Sequence, residues 1–177
     1  NGLDSFRKPN DNKLYTGNSG TLARLLIALL ATYPNLKTKV YGDSSLNKRD
    51  MKRIIIPLSK IGCTFYPKGR TKLPLLIEGT DMPLAQTHFE TLGSAQVKSA
   101  ILLAALNTAG ITKIKAKKSR NHTELLMKSL KIPIKVKSTK KFDLIELRGL
   151  NEFEGFDYKV PGDISSSAFF IVLTLLA

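Results

Sequence analysis

One cysteine, no tryptophan and two histidines stand in this 177-residue sequence, and each scarcity removes a class of chemistry. A lone Cys63 excludes an internal disulfide and suits a reducing cytoplasm. It reads as a small buried hydrophobe near a helix end. His88 and His122 lack the spacing of metal ligands, so no metal site is expected. No apolar run reaches the length of a membrane span, and no signal-peptide pattern opens the sequence. The serines of "DISSS" (163–167) have no base paired with them by any local signal, so they read as a helix start and not as nucleophiles.

Acidic residues are scarce as well. Fourteen stand against 28 lysines and arginines, a net charge of +14. Such a balance fits an anionic substrate or a nucleic acid. The Lys-rich stretches "KIKAKKSR" (113–120) and "KIPIKVKSTKK" (131–141) carry no interleaved aromatic residues to stack bases. Most of these lysines therefore read as solvated faces.

The composition is that of a globular chain, with 42% hydrophobic and 24% charged residues. Its length suffices for one domain or two small lobes. The stretch "GNSGTLARLLIALLA" (17–31) turns from glycines and small polar residues into an apolar run. It lacks the Gly-Lys-Ser/Thr of a P-loop and the GxGxxG of a dinucleotide fold. By itself it fits a turn and N-cap before a buried helix as well as a phosphate-binding loop. The chain ends inside an apolar helix, "FFIVLTLLA", with no cap, which suggests a piece of a longer protein.

The same design recurs. "GSAQVKSAILLAALN" begins at Gly93 and "GDISSSAFFIVLTLLA" at Gly162, with the apolar pairs Leu25/Leu26, Ile101/Leu102 and Phe170/Ile171 at matching offsets. Between the first two come a strand "KTKVYG" (37–42), a helix within 45–62, and strands in "CTFYP" and "LPLLIEG". After the second come "ITKIKA" (111–116), a helix in 121–132, then "IKVKS" (134–138) and "FDLIELRG" (142–149). The class is α/β (α+β) and the unit β-α-β-α-β-β, nearly complete at about 14–79 and 84–149. "FDYKVPG" and the last helix begin a third. The helices at 22–31 and 97–107 should lie side by side, with a kink or break before Pro57. Equivalent helix N-termini would offer free N–H groups and positive dipole ends to an anion.

Five ordered motifs carry a resemblance over essentially all of the chain: "GNSGTLARLL", "GDSSLNKRDM", "SAQVKSAILLAAL", "SRNHTELLMK" and "VPGDISSSAFF". Together they resemble the 5-enolpyruvylshikimate-3-phosphate synthases. The resemblance implies two lobes of three β-α-β-α-β-β units each, an inside-out α/β barrel-like design. On that basis residues 1–160 are most of one lobe, and 161–177 are the crossover and first helix of the other. It implies transfer of the enolpyruvyl group of phosphoenolpyruvate to the 5-hydroxyl of shikimate 3-phosphate. That is a cytoplasmic step of aromatic amino acid biosynthesis, on the way to chorismate. It implies no cofactor, no nucleic acid or membrane partner, and a monomer when complete.

The resemblance also implies roles. Gly20, Arg49 and Gln96 match residues that face phosphoenolpyruvate. Ser94, Ala95, Gln96, Ser119 and Arg120 match those that bind shikimate 3-phosphate. Asp50 stands where the family usually has proline, and Ala95 where many members have serine. Arg24 reads as structural or as a supporting cation. The family's acid–base groups match no residue of this chain, so no catalytic residue is expected within 1–177. Two other readings stand beside this one. The related UDP-N-acetylglucosamine enolpyruvyl transferases share fold and donor but keep a reactive cysteine in a Gly/Pro-rich loop, whereas Cys63 follows "LSKIG". A basic RNA-binding module fits the charge but has no stacking aromatics.

Overall fold

The computed structural model describes residues 11–176, without the side chains of residues 164 and 165. The fold begins with alternation. In β2 (Lys37–Tyr41), Thr38 and Val40 are buried while Lys37 and Lys39 face solvent. In β6 (Ile111–Lys117), Thr112, Ile114 and Ala116 are buried and the three lysines are exposed. One face of each strand therefore builds a core and the other is a charged surface. Lys113 spends its charge on Glu146, directly across the ladder at 3.2 Å, and Lys37 on Glu78 at 3.6 Å. Such exposed pairs add little stability.

The remaining strands are β1 (Lys13–Tyr15), β3 (Thr64–Tyr66), β4 (Leu75–Glu78), β5 (Thr87–Glu90), β7 (Ile134–Ser138) and β8 (Phe142–Arg148). They form two four-stranded sheets, β1-β2-β4-β3 and β5-β6-β8-β7. In each sheet the first pair is parallel and the other two antiparallel. The two segments share one α/β topology.

Helices α1 (Gly20–Ala31) and α3 (Ala95–Leu106) pack against each other, as their apolar runs require. Ala23, Ile27, Ala28 and Ala31 of α1, and Ala100, Ile101, Leu102, Ala104 and Ala105 of α3, are buried. The many alanines let the backbones approach closely. At the far end Asn107 donates to the carbonyl of Thr32, tying the two helix C-termini together. Equivalent glycines close each sheet onto its helix. A Cβ on Gly79 would run into the carbonyls of Leu30 and Tyr33, and one on Gly149 into those of Ala105 and Thr108.

Cys63 is buried next to the end of α2 (Lys52–Lys60), and burial, followed by the charge of Glu78, pushes its thiol up to about 12. Two expectations need correction. The helix expected within 45–62 is divided into a 3₁₀ turn at Leu46–Lys48 and α2, with Arg49 extended between them. The cause is long-range pairing. The N–H of Met51 donates to Thr71 O at 2.7 Å, and Asp50 bridges Lys72, which draws 49–51 out of helix. No break occurs at Pro57, which lies inside α2. Pro57 has no N–H to donate to the carbonyl of Arg53, and that residue is exposed to water. Residues 151–163 hold no helix or strand, and α5 (Ile164–Leu176) is exposed, with Phe169 at 81% and Leu176 at 81%. The remaining helix, α4 (His122–Ser129), packs on β7.

Candidate functional site

Both packed central helices begin in the same way. Ser19 caps α1 by accepting the N–H of Leu22 at 3.1 Å, and Ser94 caps α3 by accepting that of Val97 at 3.4 Å. Each cap satisfies one of the free N–H groups and leaves the others at the helix mouth. Because α1 and α3 lie side by side, their two mouths open next to each other.

Arg24 joins them. Its Nη1 donates to Gly20 O on its own helix at 3.2 Å and to Gln96 Oε1 on α3 at 3.0 Å, and its Nη2 to Asp50 O at 3.4 Å. Gln96 answers by donating from Nε2 to Thr21 Oγ1 at 2.6 Å. Gln96 is thus held at both ends, its amide orientation fixed by one charged donor and one acceptor. Burial, then the nearby charges of Arg49 and Arg53, draw the Arg24 guanidinium below its ordinary pKa; Asp50 opposes them. The face is an accumulation of positive charge that an anion would relieve.

Gly20 sits beneath two guanidinium groups. A Cβ there would stand 2.8 Å from Arg24 Nη1 and 3.3 Å from Arg49 Nη1. A larger residue at this place would have to push these guanidinium ends aside. Arg49 is exposed, and its Nη2 donates to Asn18 Oδ1 at 2.8 Å. Asp50 accepts the Lys52 N–H at 2.6 Å and so starts α2; that bond holds its carboxyl below the usual range. The residue in the family's proline position thus serves as a helix-starting acceptor, and Arg49 remains directed to the α1 mouth.

The structure therefore brings Gly20, Arg49, Gln96 and Ser94 together, with Ala95 as the first residue of α3. Ser119 and Arg120 arrive on the loop between β6 and α4. That loop lies beside Gly93: a Cβ there would stand 3.4 Å from Lys118 O. The Ser119 hydroxyl is buried without a hydrogen-bond partner among the described residues, and Arg120 is exposed. Asn18 and Thr21, which hold Arg49 and Gln96, had no sequence signal of their own. Arg24 had an ambiguous one. Two of its three bonds, to Asp50 and Gln96, reach residues far along the chain, which no local pattern reveals.

The matching model of known families is EPSP synthase (3-phosphoshikimate 1-carboxyvinyltransferase), over residues 1–177. The chain belongs to the EPSP synthase family. A 3-phosphoshikimate 1-carboxyvinyltransferase of Thermotoga sp. (strain RQ2) is 46% identical over 162 residues, 90% of this chain and 37% of the relative. Its counterpart in Paramagnetospirillum magneticum is 42% identical over 177 residues, 99% of this chain and 39% of the relative. The EPSP synthase structure from Acinetobacter baumannii superposes with a TM-score of 0.81 at 36% identity, covering 97% of this chain and 38% of that one. The chain spans about two fifths of the length of these relatives.

Proposed function

We propose that this chain supplies a substrate-binding face of a 3-phosphoshikimate 1-carboxyvinyltransferase. The enzyme moves the enolpyruvyl group of phosphoenolpyruvate onto the 5-hydroxyl of shikimate 3-phosphate, a step toward aromatic amino acids. The 5-oxygen adds to C2 of phosphoenolpyruvate while C3 takes a proton. C3 then returns a proton as the bond from C2 to the phosphate oxygen breaks and phosphate leaves. Two phosphates and a carboxylate have to be held together for this.

The observation that carries the reading is the convergence of Gly20, Arg49 and Gln96 at the adjoining mouths of α1 and α3, with Arg24 linking them. On this reading Arg49 and Gly20 face phosphoenolpyruvate. Ser94, Ala95, Ser119 and Arg120 hold shikimate 3-phosphate, and Gln96 touches both. The free N–H groups and dipole ends of α1 and α3 add to the attraction for anions. The unpartnered Ser119 hydroxyl supports a contact to a ligand oxygen. Proton transfer is assigned to groups outside these 177 residues, in an enzyme that is monomeric when complete and works in the cytoplasm. The related UDP-N-acetylglucosamine enzymes are disfavoured by Cys63, buried and with a thiol pushed up to about 12. A reactive cysteine needs the opposite on both counts.

The test is Arg49→Ala in a full-length synthase carrying this segment. The half-saturating concentration of phosphoenolpyruvate should rise far more than that of shikimate 3-phosphate, since losing a charged contact in a desolvated site costs about 2–5 kcal/mol. Equal effects on both substrates would remove the assigned role. The 177-residue chain alone should release no phosphate from the two substrates, and turnover near that of a complete synthase would show that the acid–base groups lie inside it.

A further inference from the structure

Among the described residues Lys98 is the largest fully buried side chain, and nothing in the site above uses it. Its Nζ lies 2.6 Å from Oε1 of Glu124, a residue itself 3% exposed. The contact is an ion pair, and among the described residues no group hydrogen-bonds either charge. Next to this pair, Ser99 Oγ and Thr123 Oγ1 are 2.6 Å apart. Two consecutive residues of α3 therefore grip two consecutive residues in the first turn of α4.

Burying an ion pair so completely is a poor way to gain stability. Desolvation consumes most of the attraction, and apolar residues of like volume often serve as well or better. What such a pair does provide is direction, because an unmatched register would leave two buried charges unpaired. The direction matters here because of what lies at each end. The N–H of Lys98 donates to Ser94 O at 3.1 Å, so Lys98 sits one turn below the cap of α3. Glu124 follows the Ser119–Arg120 turn, whose other end is fixed by β6 and by the bond from Lys118 N to Lys141 O at 3.3 Å. The Ser119 hydroxyl itself has no partner among the described residues, so the turn's position is set from its two ends.

We propose that the buried Lys98–Glu124 pair, backed by Ser99–Thr123, is the positioning device that holds the Ser119–Arg120 turn against the mouth of α3. Recognition of a phosphate ester there then depends on two residues that never touch it. This rests on the reading of Ser119 and Arg120 as contacts for shikimate 3-phosphate.

The test is the double variant Lys98→Met with Glu124→Leu in the 177-residue chain, which keeps side-chain bulk and removes both charges. Three quantities are read: the thermal midpoint, amide hydrogen exchange across 118–123, and shikimate 3-phosphate affinity by calorimetry. The expected result is a midpoint close to that of the unaltered chain. Exchange at 118–123 should be at least ten-fold faster, and affinity at least ten-fold weaker. A merely structural role would move the midpoint and spare the local exchange. Unchanged exchange and affinity would overturn the proposal. If the unaltered chain binds no shikimate 3-phosphate, the functional reading of the turn fails. The exchange measurement then decides the positioning role by itself, lost protection supporting it and retained protection overturning it. Should the double variant not fold, Thr123→Val removes only the second tie. Faster exchange confined to 118–123 would support the proposal, and none would overturn it.

Discussion

Replacing Gly20 by alanine tests the site with a single methyl group. The added Cβ would lie 2.8 Å from Arg24 Nη1, where ordinary contact begins at about 3.5 Å. The guanidinium has to withdraw by roughly 0.5–1 Å to restore that contact. Nη1 donates both to Gly20 O at 3.2 Å and to Gln96 Oε1 at 3.0 Å, and the withdrawal breaks or stretches one of them. A hydrogen bond to a charged group contributes about 1.5–3 kcal/mol. Arg49 Nη1, 3.3 Å from the same Cβ, is displaced by a smaller amount. The fold itself should stand, because the crowded atoms end flexible side chains and alanine regains up to ~1 kcal/mol of helix propensity. In a full-length synthase carrying this segment, half-saturating phosphoenolpyruvate should rise about ten- to hundred-fold, the kinetic equivalent of that lost bond. Shikimate 3-phosphate, which shares Gln96 with the disturbed group but keeps Ser94, Ser119 and Arg120, should change less. Steady-state kinetics with each substrate varied in turn reads both. An unchanged phosphoenolpyruvate requirement, or an equal rise for both substrates, would refute the argument from space.

Other perturbations probe the frame. Gly149→Ala should destabilise the chain by about 2–3 kcal/mol in denaturant melts, since its Cβ meets backbone carbonyls that cannot turn aside. Gly155→Ala, with nothing within 4 Å, should stay within about 0.5 kcal/mol, and equal effects would sink the close-packing account. Burial, then the charge of Lys60, draws His88 below its ordinary pKa. Its folded state therefore favours the neutral ring, and that stability is present above the unfolded value of about 6.5 and lost as pH falls through the folded one. His88→Phe should flatten this acid-side slope in melts between pH 7 and 5, and an unchanged slope would count against it. Cys63 should resist alkylation at pH 8 in the folded chain and react promptly in denaturant, because its thiol is pushed up to about 12. Rapid modification of the folded chain would contradict that burial.

Much of this was legible in the chain. The glycine–serine starts, the apolar pairs at matching offsets and the alternating lysines specify capped helices and one-faced strands, because those signals act within a few residues. The repeat, the burial of Cys63 and the solvated lysine faces follow from them. Other features were decided only by tertiary contact. Arg49 reads as helix locally but is extended, since the Asp50–Met51 backbone that follows it finds partners in Lys72 and Thr71, from another part of the chain. Pro57 reads as a helix breaker and is not one, since the carbonyl it cannot donate to belongs to an exposed residue. The roles of Arg24 and Lys98 were invisible for the same reason. A sequence shows a cation at a helical position, but whether its charge meets solvent, Gln96 or Glu124 depends on which helices pack together, and that is set by the alanine-rich faces of α1 and α3 and by the sheets beneath them.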